Sequence, residues 1–169
     1  MQLEILEFPD ERLRRVCEPV TRFDAALKKL VDNMFQTMYA APGIGLAAPQ
    51  VNQPIRLLVV DVMAQEQPKP MAFVNPEIVA SEGLVEWEEG CLSVPGFTAD
   101  VERAAKVSVR AQDVKGENFE IEAEGLLAIA VQHEMDHLEG VLFVDHLSRL
   151  KRSLFLKKYR KLQQQRLQA

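Results

Sequence analysis

The sequence predicts an α+β fold: short, mostly antiparallel strands around a central buried helix that carries an HExxH motif, with a C-terminal helix closing the chain. Three observations carry this prediction. Residues 126–131 read Leu-Leu-Ala-Ile-Ala-Val, apolar on every side of a helix, a pattern that belongs in an interior. Between residues 55 and 123 the apolar side chains fall instead into strand-length runs and alternations, separated by Gly, Pro and polar turns. From Ser148 onward Leu150, Leu154, Phe155, Tyr159 and Leu162 recur at helical spacing, with Leu147 just ahead of them. A chain of 169 residues is long enough for one domain with a true core. We read residues 1–147 as its metal-binding body and residues 148–169 as a basic helix extending it.

Taken in order, Leu3–Pro9 is an extended segment, and Asp10 caps a short helix ending near Val16. Asp24 caps the next helix, whose apolar positions Leu27, Leu30, Val31, Met34, Phe35 and Met38 mark one face before Pro42 and Gly43 end it. Residues 43–50, Gly-Ile-Gly-Leu-Ala-Ala-Pro-Gln, mimic a dinucleotide-binding glycine pattern. That pattern must follow a strand and open a helix, whereas this one follows a helix and runs into Pro49. Glycines in an apolar loop point instead to close backbone approach to a ligand, with Gln50 offering a neutral amide. Ile55–Val62 is a strand, residues 65–70 a polar loop, and Met71–Val79 a pair of strand fragments around Pro76, which suits an edge or a bulge. A further extended segment runs from Leu84 into Cys91. Lys106–Val114 and Phe119–Ala123 alternate on either side of a turn at Lys115-Gly116-Glu117-Asn118, forming a hairpin.

Composition narrows the class. With 47% hydrophobic and 27% charged residues the chain reads as an ordinary globular protein, and no apolar run is long enough to span a bilayer. The acidic N-terminus lacks the basic-then-apolar layout of a secretory leader, so a cytoplasmic location is expected. In that compartment Cys17 and Cys91 stay reduced, Cys17 as a small buried hydrophobe. The net charge of −5 conceals an asymmetry. Eight of the 20 Lys and Arg residues lie between residues 148 and 169, where no acid occurs, which leaves −13 on the remainder. An acidic body with a basic tail suggests that the tail meets a polyanion.

The chemistry gathers at residues 132–137, Gln-His-Glu-Met-Asp-His. His133 and His137 lie on one helix face and can reach one metal ion from the same side. Glu134 sits one residue further round, placed to take a proton from a metal-bound water and pass it to a leaving group. The third ligand decides the type. No glutamate follows Glu139, and Phe143 stands where the longer histidine motif of some zinc proteases needs its third histidine. An HExxH metallopeptidase that cleaves peptide bonds is thereby disfavoured. His146 has an odd spacing from the motif and reads as a surface or satisfied core histidine. Cys91, in Glu89-Gly90-Cys91-Leu92-Ser93, is the better candidate. A purely structural metal in an RNA-associated protein would need a fourth protein ligand, which only His146 or Cys17 could supply.

Three motifs in this order resemble the bacterial-type peptide deformylases: GxGxAAxQ-like residues 43–50, EGCLS at residues 89–93 and HExxH at residues 133–137. The resemblance implies an enzyme that removes the N-formyl group from the N-terminal methionine of newly made polypeptides, releasing formate. It further implies Cys91, His133 and His137 as ligands of one divalent ion, Fe²⁺ in cells, with Zn²⁺, Ni²⁺ and Co²⁺ as ions the same donors accept. Glu134 becomes the proton carrier. Gln50 and the backbone N–H of Leu92 become donors to the developing oxyanion, each worth about 3 kcal/mol in comparable sites. Gly43, Ile44 and Gly45 would align the peptide, and Ile44, Trp87, Leu126 and Ile129 would surround the methionine side chain, with Ala130 a small residue in that pocket wall. The same resemblance implies a monomer that meets N-formyl-Met nascent peptides at the ribosome through its basic C-terminal helix, by a contact that weakens with salt.

Overall fold

The computed structural model describes residues 1–63 and 66–168; Gln65, at the start of the expected polar loop, and Ala169, the last residue of the expected tail helix, lie outside them. Among the described residues seven strands and three α-helices follow one another: α1 (Ala25–Ala40), β1 (Gly45–Ala47), β2 (Leu57–Val60), β3 (Met71–Glu82), β4 (Val85–Cys91), β5 (Val94–Arg103), β6 (Lys106–Gln112), β7 (Asn118–Glu124), α2 (Gly125–Leu138) and α3 (Arg149–Gln168). Five strands form one sheet in the order β1-β2-β3-β6-β7, and β4 with β5 forms a separate ribbon, all pairs antiparallel.

The larger sheet lies between two helices, which explains the unbroken apolar run of β2. Leu57 and Val59 join Leu27, Val31, Met34 and Met38 in the core beneath α1. Leu58 and Val60 face the other way, into the core that Ala128, Val131 and Leu138 of α2 complete. A strand covered on both faces has no polar side to alternate. The cap expected for α1 is present: Asp24 Oδ1 accepts from the Leu27 N–H at 3.0 Å.

Four expectations are revised. The segment after Asp10 makes only a short 3-10 turn, Glu11–Arg14, although Asp10 caps it as foreseen. Pro76 lies within one continuous strand, not between fragments; because β3 pairs with β2 and β6 it is not an edge, and the register slips between Val74 and Glu77 so that Pro76 sits at a bulge. Residues 45–47 are a strand and not only a loop, and β5 was not foreseen at all. Finally, the stripe expected on α3 splits. Phe155 and Tyr159 are buried, against Phe8 and around Phe97, with ring centroids 4.4 to 5.6 Å apart, whereas Leu150 and Leu154 are exposed.

Candidate active site

Strand β4 and helix α2 bring the site together. On a strand, residues two apart share a face, so Glu89 and Cys91 point the same way, towards α2. Opposite them α2 presents His133 and His137, one helical turn apart, as the motif requires. The ligand atoms of Cys91, His133 and His137 all lie within 4.8 Å of one another, and Cys91 Sγ is 3.4 Å from His137 Nε2. Neither Cys17 nor His146 joins them. Cys17 is buried beneath α2, its thiol pushed up by burial, and both cysteines are free thiols. His146 instead bonds Asp136 at 2.8 Å.

The tautomer of His133 follows from its neighbour. Glu89 is buried, and burial alone would raise its carboxyl; the hydrogen bonds and charges of Arg103 and His133 outweigh burial and hold it at about 2. An ionised carboxylate can only accept, so His133 Nδ1, 2.8 Å from Glu89 Oε1, donates, and Nε2 is left as the nitrogen on which a metal ion would replace a proton. Burial works against protonating both imidazoles. Glu134, Cys91 and Glu89 overcome it at His133 and raise that ring well above its ordinary range, while the charge on His133 adds to burial in driving His137 well below. Two buried atoms here lack any hydrogen-bond partner, Glu134 Oε1 and His137 Nδ1. One cysteine sulfur and two imidazole nitrogens converging beside them fit a divalent cation, the donor set of a mononuclear centre with three protein ligands.

The expected residues meet in one cleft of about 750 Å³. Gly43, Ile44, Gly45, Gln50, Trp87, Cys91, Leu92, Leu126, Ile129, His133 and Glu134 all line it, while His137 lies behind, 1% exposed. Trp87 and Ile44 are 41% and 40% exposed and stand at its rim. Gly45 is glycine for a reason of space, since a Cβ there would come within 2.6 Å of Glu134 Oε2. Gln50 is held at both ends: its Oε1 accepts from the Ala47 N–H at 2.8 Å, and its Nε2 lies 3.0 Å from Ser93 Oγ and 3.6 Å from Cys91 Sγ. Burial, the largest influence, pushes the Glu134 carboxyl up to about 7; His133 and Arg103 oppose it, and Glu89 and Asp136 reinforce it.

Sequence reasoning did not single out Glu89 or Arg103. Glu89 carried a signal, two residues before Cys91 in an extended segment. Arg103 carried none, because its place depends on β4 pairing with β5.

A candidate three-ligand metal site in a cleft, with a buried carboxylate beside it, is an arrangement suited to metal-dependent hydrolysis. The sequence model of the polypeptide deformylase family matches residues 2–153. A peptide deformylase of Hahella chejuensis is 55% identical over 95% of each chain. The crystal structure of a peptide deformylase from Legionella pneumophila superposes with a TM-score of 0.93 at 49% identity, covering 100% of this chain and 99% of that one. A Synechococcus elongatus peptide deformylase in complex with actinonin gives a TM-score of 0.87 at 45% identity, covering 92% and 86%. The chain belongs to the polypeptide deformylase family.

Proposed function

We propose that the hydrolysis this family performs, removal of the N-formyl group from the N-terminal methionine of new polypeptides with release of formate, is carried out here by Glu134 beside a divalent ion held by Cys91, His133 and His137. The observation that carries this reading is the buried Glu134 in the cleft wall, its Oε1 without a partner and 3.9 Å from His137 Nε2. When bound, such an ion supplies a water acidified towards neutrality and a Lewis acid for the formyl oxygen. A carboxyl poised near neutral pH accepts a proton as water attacks the formyl carbon. It then returns that proton to the amine nitrogen as the C–N bond breaks. Gln50 Nε2 and the Leu92 N–H donate to the oxyanion; Gln50 is fixed for this by its bond to Ala47, so little reorganisation is needed.

Substrate alignment uses the edge of the larger sheet. Among the described residues strand β1 pairs only with β2, and Asp61 N–H donates to Ile44 C=O on that side. The alternation of an antiparallel pair therefore turns the N–H and C=O of Gly45 towards the cleft, where an extended peptide can add as a further strand. Ile44, Leu126 and Ile129 take the methionine side chain, with Trp87 closing over it from the rim and Gly43 leaving room for Leu92. Thiolate and imidazole donors suit Fe²⁺ as the ion used in the cell, with Zn²⁺, Ni²⁺ and Co²⁺ able to replace it. No helix among the described residues is long and apolar enough to cross a membrane. We further infer a cytoplasmic monomer, with residues 1–147 carrying the chemistry and the basic face of residues 148–169 meeting ribosomal RNA; the nascent-peptide substrate supports the location, and the run of basic residues on α3 supports the RNA contact.

The test is formate release from an N-formyl-Met tripeptide by anaerobically prepared protein supplied with Fe²⁺. Rapid release, abolished by a chelator and by Glu134→Ala, is the expected result. Absence of release from protein with metal demonstrably bound would overturn the proposal.

A further inference from the structure

We infer that Arg103, a residue of β5 that touches neither the cleft nor the three candidate ligands, is the positioning residue that aims His133, and that His146 extends its hold to the surface. The inference rests on the ligand assignment made above.

The guanidinium is buried and engaged on two sides. Its Nε and Nη2 donate to Glu89 Oε2 and Oε1 at 2.8 and 2.9 Å, the two-pronged geometry that fixes a carboxylate in its plane. The same Glu89 Oε1 accepts from His133 Nδ1. Arg103 thus sets the orientation of Glu89, which sets the tautomer and the plane of the imidazole. Its Nη1 donates to Asp136 Oδ2 at 2.6 Å, and that oxygen also lies 2.8 Å from His146 Nε2, whose side chain is 39% exposed.

The neighbouring residue supplies a second fastening. Gln132 Oε1 accepts from the Ala104 N–H at 3.0 Å, and its Nε2 donates to the Ala104 C=O at 2.9 Å. Gln132 and Asp136 are one turn apart on α2, as His133 and His137 are, but on the adjoining face. Two consecutive residues, Arg103 and Ala104, therefore grip α2 at two points and fix its rotation about its own axis. A rotation of that helix would swing both histidines away from Cys91. The ion pairs join β4, β5 and α2. A buried, fully bonded network of this kind buys geometry in place of stability.

The experiment compares the full chain with Arg103→Lys, which keeps the charge but loses the fork, and with Asp136→Asn, which keeps the shape at the outer end. Cobalt(II) affinity is measured by chelator competition, with the sulfur-to-cobalt absorption and the ligand-field bands as a spectroscopic readout. The expected result for Arg103→Lys is a circular dichroism spectrum like the parent's, affinity lower by about 10- to 100-fold, and shifted ligand-field bands. Its KM for the formyl peptide should be unchanged once cobalt saturates. Asp136→Asn should move the bands in the same direction by less, and its effect should not add to that of Arg103→Lys. If Arg103→Lys does not fold, Asp136→Asn alone decides. Parental bands and affinity, with only the melting temperature lowered, would overturn the inference. Cobalt bound by the parent without sulfur absorption would instead overturn the ligand assignment.

Discussion

Helices α2 and α3 both carry the residues that the sequence marked as important, yet the two are built in opposite ways. In α2, Ala128 to Val131 are all buried, as are His133, Glu134, His137 and Leu138, so nearly every side of the helix is constrained by a neighbour. In α3, twenty residues long, only Phe155 and Tyr159 are buried. Arg152 and Arg166 are tied back to the Asp145 carbonyl and to Glu7, while Lys157, Arg160 and Lys161 stand in solvent. A helix buried all round holds its functional atoms to fractions of an ångström. A helix held along one narrow line presents charge but fixes nothing. The comparison assigns geometry-dependent chemistry to α2 and contact of low precision to α3.

The sharpest way to break that comparison is in α2. Glu134→Ala should lower kcat/KM for formate release by about 100- to 10,000-fold, with metal content unchanged. A loss of less than tenfold would mean that another group moves the proton. Gly45→Ala tests the same precision from the opposite wall. The added methyl would meet Glu134 Oε2 at 2.6 Å, so the carboxylate must move. A displacement of about 1 Å is expected to cost about 100-fold in kcat, with KM little changed, as progress curves over a range of peptide concentrations would show.

The prediction for α3 is the reverse: a large effect on stability and a small one on the chemistry. Phe155 is 1% exposed and packs on Phe8, Phe97 and Tyr159. Phe155→Ala should cost about 3–5 kcal/mol in denaturant unfolding, while kcat of the surviving folded enzyme stays within a factor of two or so of the parent. A selective loss of kcat would place α3 in the chemistry. The same packing makes deletion of the tail a poor test of ribosome binding, because removing α3 uncovers Phe8 and Phe97.

A smaller effect separates the site's framework from the rest of the molecule by pH. The folded-state carboxyl of Glu89 lies near 2, below its ordinary 4.5, because Arg103 and His133 outweigh the opposing influence of burial. A depressed pKa gives stability that is fully present above 4.5 and is lost as pH falls towards 2. In metal-free protein, the denaturation midpoint should therefore fall steeply from pH 5 to pH 3, and Glu89→Gln should make that fall shallower. An unchanged slope would show that the acid limb belongs to other carboxylates, such as Asp10 and Asp145, which are also held low by arginines.

What the sequence revealed follows the same division. The run from Leu126 to Val131 could only be interior helix, and with it came the face that carries both histidines. Strand β2 was legible because two covered faces leave a continuous apolar run. Strand β5 was missed because Pro95 and Gly96 punctuate its start and a charged residue, Arg103, fills an inward position, although Phe97, Ala99 and Val101 alternate as a strand should. On α3 the leucine spacing was read correctly as helical, but spacing does not say how much of a stripe finds a partner. Phe155 and Tyr159 found aromatic rings; Leu150 and Leu154 did not. Partnership across the ribbon, the feature that brings Arg103 to Glu89, has no local signature.

The smallest expected effect concerns the basic face of α3. Replacing Lys157, Arg160 and Lys161 with Gln removes three exposed charges that make no ion pair among the described residues, so the fold and the formyl-peptide kinetics should stay as they were. If that face meets ribosomal RNA, the salt dependence should report it. Each phosphate no longer neutralised by the helix should flatten the plot of log affinity against log salt by about 0.7 to 0.9. The triple change should therefore reduce the slope by about 2 in sedimentation or fluorescence binding to purified ribosomes. Arg152 and Arg166, already engaged by the body, serve as the control, since replacing them should alter stability more than slope. An unchanged slope in the triple variant would leave α3 as a packing element whose charge serves solubility, and the contrast with α2 would then rest on geometry alone.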